Sequence, residues 1–490
     1  MKGNNYKKSF FFDKKMKLKS DKLIIFLLII ILFPSLYMGI GNLVVPCYIF
    51  AGLGILLIYI LSKPMELIAK LVEMYKKTPF KIIICFAIWA FITIFVSIIR
   101  HRFLVGGFIT SAVGGLIFSV LCPCIIAMLL IPKYIPYKTF IKIFISFCWF
   151  VFALALVEFF VFYFNINQLE SILSVFSNKR MFYGLQGVEE RVFLGSLPRC
   201  RSIFDEPSYL GYFILAVSPI ILELKQYFKL LYKNKIIGSV VKNTVFPFMY
   251  IALLLTQSPI FIIFNALFLV WYFGIYKKKL LQIAIFGIIG VIILLLIISS
   301  KGIEETYLNR ILLTLQNITS IEDLIMAEPS LATRLIIFSN IILLGIHNPL
   351  FGVGLGNMSY LIADFLLKFR LPLTGELIMF AYLNKTTPPS TIFVKIFSET
   401  GIIGTVIFYA FLITLLLRLK RILRLVKGYQ HQYLTGSCLF IIVYIMSSFY
   451  DSNLNQPYIY LLIGCTIKMI YGINIRCRDK LSAQAVTDTH

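Results

Sequence analysis

Long apolar runs alternate with short charged ones along the whole chain. A helix of about 18 or more apolar residues is long enough to cross the hydrocarbon layer of a bilayer. "LIIFLLIIILFPSLYMGI" (Leu23 to Ile40) and "LLQIAIFGIIGVIILLLIIS" (Leu280 to Ser299) are two such runs. The pattern predicts spans near 23–40, 43–62, 81–99, 103–131, 140–165, 208–224, 244–255, 260–276, 280–299, 391–417, 432–450 and 457–474. The expected fold class is therefore all-α: a polytopic integral membrane protein with about 12 transmembrane helices. The chain then divides into an N-terminal membrane bundle with a basic tail (1–165), a first long loop (166–207), central membrane helices (208–299), a second long loop (300–390), and C-terminal helices with a tail (391–490).

Charge sets the expected sidedness. The N-terminal "MKGNNYKKSFFFDKKMKLKSDK" and the links "KPMELIAKLVEMYKK", "KQYFKLLYKNK", "YKKK" and "RLKRILRLVKGYQ" are basic, which marks them as cytoplasmic. The first of these links also has helical apolar spacing, so it is expected to lie on the inner leaflet, with membrane lipid as its partner. Both termini then fall in the cytoplasm and both long loops outside. The first run lacks a small-residue cleavage site and a second span follows it directly, so it is expected to stay as an anchor. By this count "RHR" (Arg100 to Arg102) lands on the exterior, either through a miscounted span or because cationic chemistry is needed there. The short seventh and eighth spans are separated only by "TQSP" (Thr256 to Pro259), which reads as a tight hairpin or as helices broken within the membrane. Broken backbone at membrane depth has to be buried in protein or line a cavity.

Composition agrees with a membrane chain and narrows its function. The 490 residues are 59% hydrophobic and 14% charged, against about 25% charged in soluble domains. The net charge of +25 does not make a nucleic-acid partner, because the basic residues sit between spans rather than in a patch interleaved with exposed aromatics. Nine cysteines are scattered, mostly inside spans; "CPC" (Cys122 to Cys124) reads as a packed span with a proline kink, and Cys200 falls in an exterior loop. The four histidines (His101, His347, His431 and His490) show no ligand spacing, so neither a metal nor another cofactor is expected. The two long loops carry most of the acidic residues, among them Glu189, Glu190, Asp205, Glu206, Glu304, Glu305, Glu322 and Asp323, together with Arg191, Arg199, Arg201, Arg310, Arg334 and Arg370. A rocker-type carrier has short links and internal repeats. Two long charged loops on one face point instead to binding or chemistry at that face.

Three stretches concentrate the candidate chemistry. "RCRSIFDEPSYLGYF" (Arg199 to Phe213) sets two arginines ahead of a helix opened by Pro207, with Asp205 and Glu206 at its positive end. Guanidinium and helix start both offer N–H donors to phosphate oxygens; a capped helix with interfacial charges is the plainer reading. "SLATRLIIFSNIILLGIHNPLFGVGLGNMSYL" (Ser330 to Leu361) is an apolar helix carrying Arg334, followed by a turn rich in Gly352, Gly354 and Gly356. It lacks the Lys-Ser/Thr ending of a phosphate loop, and glycines at helix contacts are the alternative. "PPSTIFVKIFSETGIIGTVIFYAFL" (Pro388 to Leu412) puts Glu399 inside a span, where a buried carboxylate needs a partner, and Glu158 in "LVEFFVF" raises the same question.

In this order, "RSIFDEPSYLGYF", "PLFGVGLGN" and "FSETGIIG" resemble the O-antigen polymerase and O-antigen ligase family, over about Arg199 to Leu417. The resemblance implies a glycosyltransferase of the bacterial inner membrane that works on the outer face without a nucleotide sugar, and, with no metal site in the histidine pattern, a metal-independent one. Its donor would be a glycan on undecaprenyl pyrophosphate; a flippase and a chain-length regulator of the same route are implied partners. Transition-state charge would collect on the departing pyrophosphate, where preorganised arginines act most strongly. The resemblance assigns Arg201 and Arg334 to catalysis, with Glu206 orienting Arg201 or accepting a proton. Arg199, Arg191, Arg310, Gly352, Gly354 and Glu399 are the expected substrate-binding residues. Two departures matter. Ser390 stands where the ligase branch has a histidine, which favours a polymerase, and Pro259 stands where the hairpin often has an arginine. A ligase and a lipid-linked oligosaccharide flippase are the alternatives.

Overall fold

The computed structural model describes residues 23–34, 36–40, 43–62, 65, 78–101, 137–166, 168–169, 173, 193–194, 197–204, 206–232, 234–278, 329–358, 361, 391–449 and 456–487. The spans predicted at 103–131 and 280–299 lie outside them, as do Arg191, Asp205 and Arg310. The fold is helical and polytopic, as the apolar pattern predicts. Among the described residues, five helices are long and apolar enough to cross a bilayer, and further shorter apolar helices accompany them.

The N-terminal apolar region shows where the pattern misleads. Helix α1 covers only Leu23–Leu32. Strand β1 (Tyr37–Ile40) then pairs antiparallel with β2 (Leu43–Pro46) before α2 (Cys47–Ser62) begins. Residues 37–40 and 43–46, predicted in the spans 23–40 and 43–62, were expected to be helical. Pro34 cannot extend a helix, and the glycines at 39 and 41 are poor helix formers, so the backbone polar groups pair across a ladder instead. A second short ladder joins β3 (Phe193–Leu194) to β4 (Leu197–Pro198).

The remaining helices are α3 (Thr78–His101), α4 (Tyr137–Tyr163), α5 (Pro207–Leu224), α6 (Lys235–Leu255), α7 (Pro259–Val270), α8 (Pro329–His347), α9 (Ile392–Leu423), α10 (Gly428–Ser447) and α11 (Pro457–Thr487). Helix α7 continues through a π-helical turn, Trp271–Tyr276. Cross-helix contacts fix which ends lie together. Phe86 meets Phe408 and Trp89 Nε1 donates to Thr400 O, so α3 and α9 run antiparallel. Phe393 N donates to Ser448 O at 2.9 Å, setting the start of α9 at the end of α10. The rings of Phe213 and Tyr458 meet edge-on at 4.9 Å, setting the start of α5 beside the start of α11. Cys200 N donates to Leu255 O at 2.9 Å, adding the end of α6. One end of the bundle thus gathers the last turns of α3, α4, α6 and α10 with the first turns of α5, α7, α9 and α11.

Helices α5 and α10 pack against each other with close backbone approach, which Gly436 makes possible. Gly436 lies against Ile220 and the carbonyl of Pro219, where a Cβ would come within 2.8 Å of Ile220 Cα. Apolar surface alone gives little reason for helices to associate in lipid, so close backbone approach supplies the attraction through van der Waals contact. At the end away from the site, Glu223 is buried and receives Lys277 Nζ at 2.8 Å and the Tyr272 hydroxyl at 2.9 Å. Its charge is therefore paired. Gly436→Leu is expected to overpack the α5–α10 contact and cost about 1–3 kcal/mol. Thermal unfolding of the purified protein in detergent measures this, and an unchanged midpoint would mean the two backbones do not touch there.

Candidate functional site

The arginine loop is built on a buried carboxylate. Glu158 lies on the last turns of α4 and is 4% exposed. Its Oε2 accepts the backbone amides of Arg201 at 2.9 Å and Ser202 at 2.6 Å. Its Oε1 faces Arg201 Nε at 3.8 Å. Ser202 takes a left-handed backbone conformation (φ 56) and its hydroxyl donates to Val151 O at 2.8 Å, which locks the loop to α4. On the other side, the C-terminal carbonyls of α6 accept from the same loop. Leu255 O receives Cys200 N, and Thr256 O receives Arg199 Nε at 3.1 Å. Cations and N–H donors are favoured there because the last carbonyls of a helix lack intrahelical partners and carry partial negative charge.

This arrangement leaves a donor free. Arg201 is 12% exposed, and its Nη1 is buried without a hydrogen-bond partner. An unmet buried donor of a guanidinium costs free energy and is ready to meet an anionic oxygen. Cys200, between the two arginines, is buried, and burial with the neighbouring Glu158 carboxylate pushes its thiol well above the ordinary range. It is therefore not a nucleophile at neutral pH. The "TQSP" segment forms a tight connection: Gln257 adopts a positive φ of 47, Ser258 N donates to Thr256 Oγ1 at 3.2 Å, and Pro259 opens α7.

A second neighbourhood surrounds a break in α9. Gly401 has φ 69 and ψ −174 in the middle of an otherwise helical run. A side chain there would strike the Leu350 carbonyl, so both the conformation and the space demand glycine. The break frees backbone groups that a membrane helix cannot leave unpaired. The glycine-rich turn after α8 takes them up. Val353 N donates to Ser398 O and Gly354 N to Glu399 O, each at 2.8 Å, and Ile402 N donates to Pro349 O at 2.8 Å. From α3, Trp89 Nε1 donates to Thr400 O at 2.8 Å while its ring stacks on Phe351. Gly352 and Gly354 also have positive φ, and a Cβ on Gly352 would collide with the Glu399 backbone.

Glu399 is fully buried. Its carboxylate faces the amides of Gly356 and Met358 without a hydrogen bond of ordinary geometry. Lys395 stands one turn earlier on the same helix. The break is thus held by backbone bonds, and the carboxylate oxygens, like Asn357 Oδ1 in the adjoining turn, have no hydrogen-bond partner.

The structure brings Arg199 and Arg201 together, and Gly352, Gly354 and Glu399 together. Glu206 is the N-cap residue of α5; its carboxylate is exposed and accepts from Ser208 Oγ at 3.1 Å. The carboxylate that holds Arg201 is Glu158, 43 positions earlier in the chain. Sequence reasoning singled out Glu158 only as a charge inside a span, and no spacing rule pairs it with Arg201. Arg334 lies in the first part of α8. Gly345 of that helix packs on Phe397 and Ser398, and Arg334 precedes it by about three turns. The amides of Gly352 and Gly354 are both committed, Gly352 N to Asn348 O at 2.9 Å and Gly354 N to Glu399 O. The turn therefore does not offer those amides to an anion. Among the described residues, no three His, Cys, Asp or Glu side chains stand together as a metal site.

Fold and site define a multi-pass membrane protein whose cationic loop and broken helix share one end of the bundle. The O-antigen ligase family model matches residues 244–409, about a third of the chain, from within α6 to the middle of α9. That interval contains the central hairpin, Arg334, the glycine turn and the break at Gly401; it covers two of the three motifs that carry the family resemblance, and the first, Arg201 to Phe213, precedes it. No curated protein matches the chain.

Glu158→Ala should unhook the arginine loop, since it strips two amides of their acceptor and leaves a mostly buried guanidinium uncompensated. Removing one member of such a pair costs about 3–5 kcal/mol. Glu158→Gln keeps an acceptor but loses the charge, so its thermal midpoint in detergent should fall between wild type and Glu158→Ala. Equal midpoints for all three proteins would show that the loop does not depend on this carboxylate.

Proposed function

We propose that this protein is a polymerase that joins oligosaccharide repeat units carried on undecaprenyl pyrophosphate at the outer face of the bacterial inner membrane. The product would be an O-antigen, capsular or related polysaccharide. The observation that carries this reading is Arg201. A guanidinium held on buried Glu158, with Nη1 still unfilled, stands at the mouth of α5 in a chain matching the O-antigen ligase family model.

The proposed reaction needs little covalent help from the protein. A hydroxyl oxygen of the acceptor unit attacks the anomeric carbon of the donor. The bond from that carbon to the pyrophosphate oxygen breaks, and the hydroxyl proton leaves to a base. Negative charge then collects on the lipid pyrophosphate, where fixed N–H donors lower the barrier. Arg201 and Arg334 are assigned this role, with Arg199, Arg191 and Arg310 as further phosphate contacts. Glu206, exposed at the rim, is the assigned proton acceptor or acceptor-orienting group. The glycine turn with Gly352 and Gly354 supports the site by fixing the break in α9, and the unmet Glu399 carboxylate beside it is assigned to substrate binding.

Ser390, at the position where the ligase branch has a histidine, favours a polymerase. The family description itself favours the second reading, a ligase that moves a finished glycan to another acceptor. Lipid-linked polymer in cells separates them, since a polymerase makes it and a ligase consumes it. The first assay is purified protein with the undecaprenyl-pyrophosphate-linked repeat unit, without nucleotide sugar or divalent metal. A ladder of lengthening lipid-linked glycans is expected, and it should vanish in Arg201→Ala and in Arg334→Ala while both variants insert normally. Wild-type ladders from either variant would remove that arginine from the mechanism. Movement of the lipid-linked unit across vesicles with no ladder would make the protein a flippase.

A further inference from the structure

Arg100 lies outside everything assigned above. It is on the last turn of α3, at the same end of the bundle as the arginine loop, and its side chain is exposed. Its Nη1 donates to Asn348 Oδ1 at 2.6 Å. Asn348 is itself fixed on three sides: its amide nitrogen donates to Leu344 O at 3.0 Å, its backbone N to Gly345 O at 3.0 Å, and its backbone O accepts Gly352 N. The side-chain oxygen is thereby turned toward Arg100.

Two physical consequences follow. The partner is a neutral amide, so Arg100 keeps its full charge, whereas Arg201 and Lys277 each face a carboxylate. One bond to Asn348 also occupies only part of a fork of five N–H donors, leaving the rest preoriented at low entropic cost. The amides of Gly352 and Gly354 beside it are committed to the backbone of the turn and of α9. Any anion at this corner therefore meets a side chain, and Arg100 is a fixed cation among the described residues there.

We propose that Arg100, held by Asn348, is a second phosphate-contacting cation of this protein, taking an oxygen of the lipid pyrophosphate group. The inference rests on the polymerase reading for its ligand. It also favours cationic chemistry over a miscounted span as the reason that "RHR" falls on the exterior by the span count.

The test uses the full chain in phosphatidylcholine nanodiscs, with undecaprenyl pyrophosphate as the probe. Arg100→Ala should weaken binding by about tenfold, the loss of one charge-assisted hydrogen bond. It should also flatten the dependence of binding on salt, because one screened attraction is gone. Arg100→Lys keeps the charge but not the fork and should fall between. Asn348→Ala keeps the charge and should lose less than Arg100→Ala. Binding by Arg100→Ala within about twofold of wild type, with Arg201→Ala impaired, would overturn this inference and leave the polymerase reading standing. Equal losses in Asn348→Ala and Arg100→Ala, with lowered thermal midpoints and unchanged salt dependence, would make Arg100 a latch only and overturn it too. Phosphatidylglycerol that displaces the probe from wild type but not from Arg100→Ala would identify a bilayer headgroup as the ligand instead. Failure of the wild-type protein to hold the probe would overturn both readings.

Discussion

Backbone polar groups cannot go unpaired in a bilayer, and the break at Gly401 is where this protein meets that constraint most severely. The break frees carbonyls of Ser398, Glu399 and Thr400 and the amide of Ile402, and each finds a partner from another part of the chain. Those partners come from the turn after α8 and from Trp89 on α3. Three elements far apart in sequence are therefore tied at one depth by bonds that lipid cannot replace. The glycines of "PLFGVGLGN" follow from the same requirement. Their positive φ values and missing side chains let the turn run against the α9 backbone closely enough to reach those carbonyls.

The arginine loop solves a different problem by similar means. A mostly buried guanidinium is costly unless a counter-charge and hydrogen bonds accompany it. Glu158 supplies both, accepting two loop amides and facing the Arg201 side chain, while the open end of α6 takes Arg199 and the Cys200 amide. The loop is thus held from both sides, yet one Arg201 nitrogen is left unmet. Rigid support with an unfilled donor is what electrostatic stabilisation of a departing phosphate requires, since little reorganisation remains for the reaction step.

The two neighbourhoods present cations of different character. Arg201 is mostly buried and faces a carboxylate; Arg100 is exposed and, among the described residues, bonds to a neutral amide. In the proposed reaction the buried cation would act at short range on the breaking bond. The exposed one would act earlier and over a longer distance, drawing an anionic lipid headgroup toward the same end of the bundle.

Hydrophobic length determined the class of this protein without help from tertiary structure. Runs of 18 or more apolar residues leave a helix little alternative in lipid, and α3, α4 and α5 fall close to their expected bounds. The same logic failed at residues 37–46, because hydropathy does not register that proline and glycine disfavour a helix while an antiparallel ladder satisfies the backbone as well. At the site, the sequence determined which residue types were available: arginines before Pro207, glycines after Asn348, a carboxylate at Glu399. Tertiary structure alone decided that Glu158 holds Arg201, that the glycine turn serves the break in α9, and that Arg100 reaches Asn348 across 248 positions. The physical reason is that helix pattern is written in neighbouring residues, whereas the partner of a buried charge or a freed carbonyl is chosen by whichever helix packs beside it.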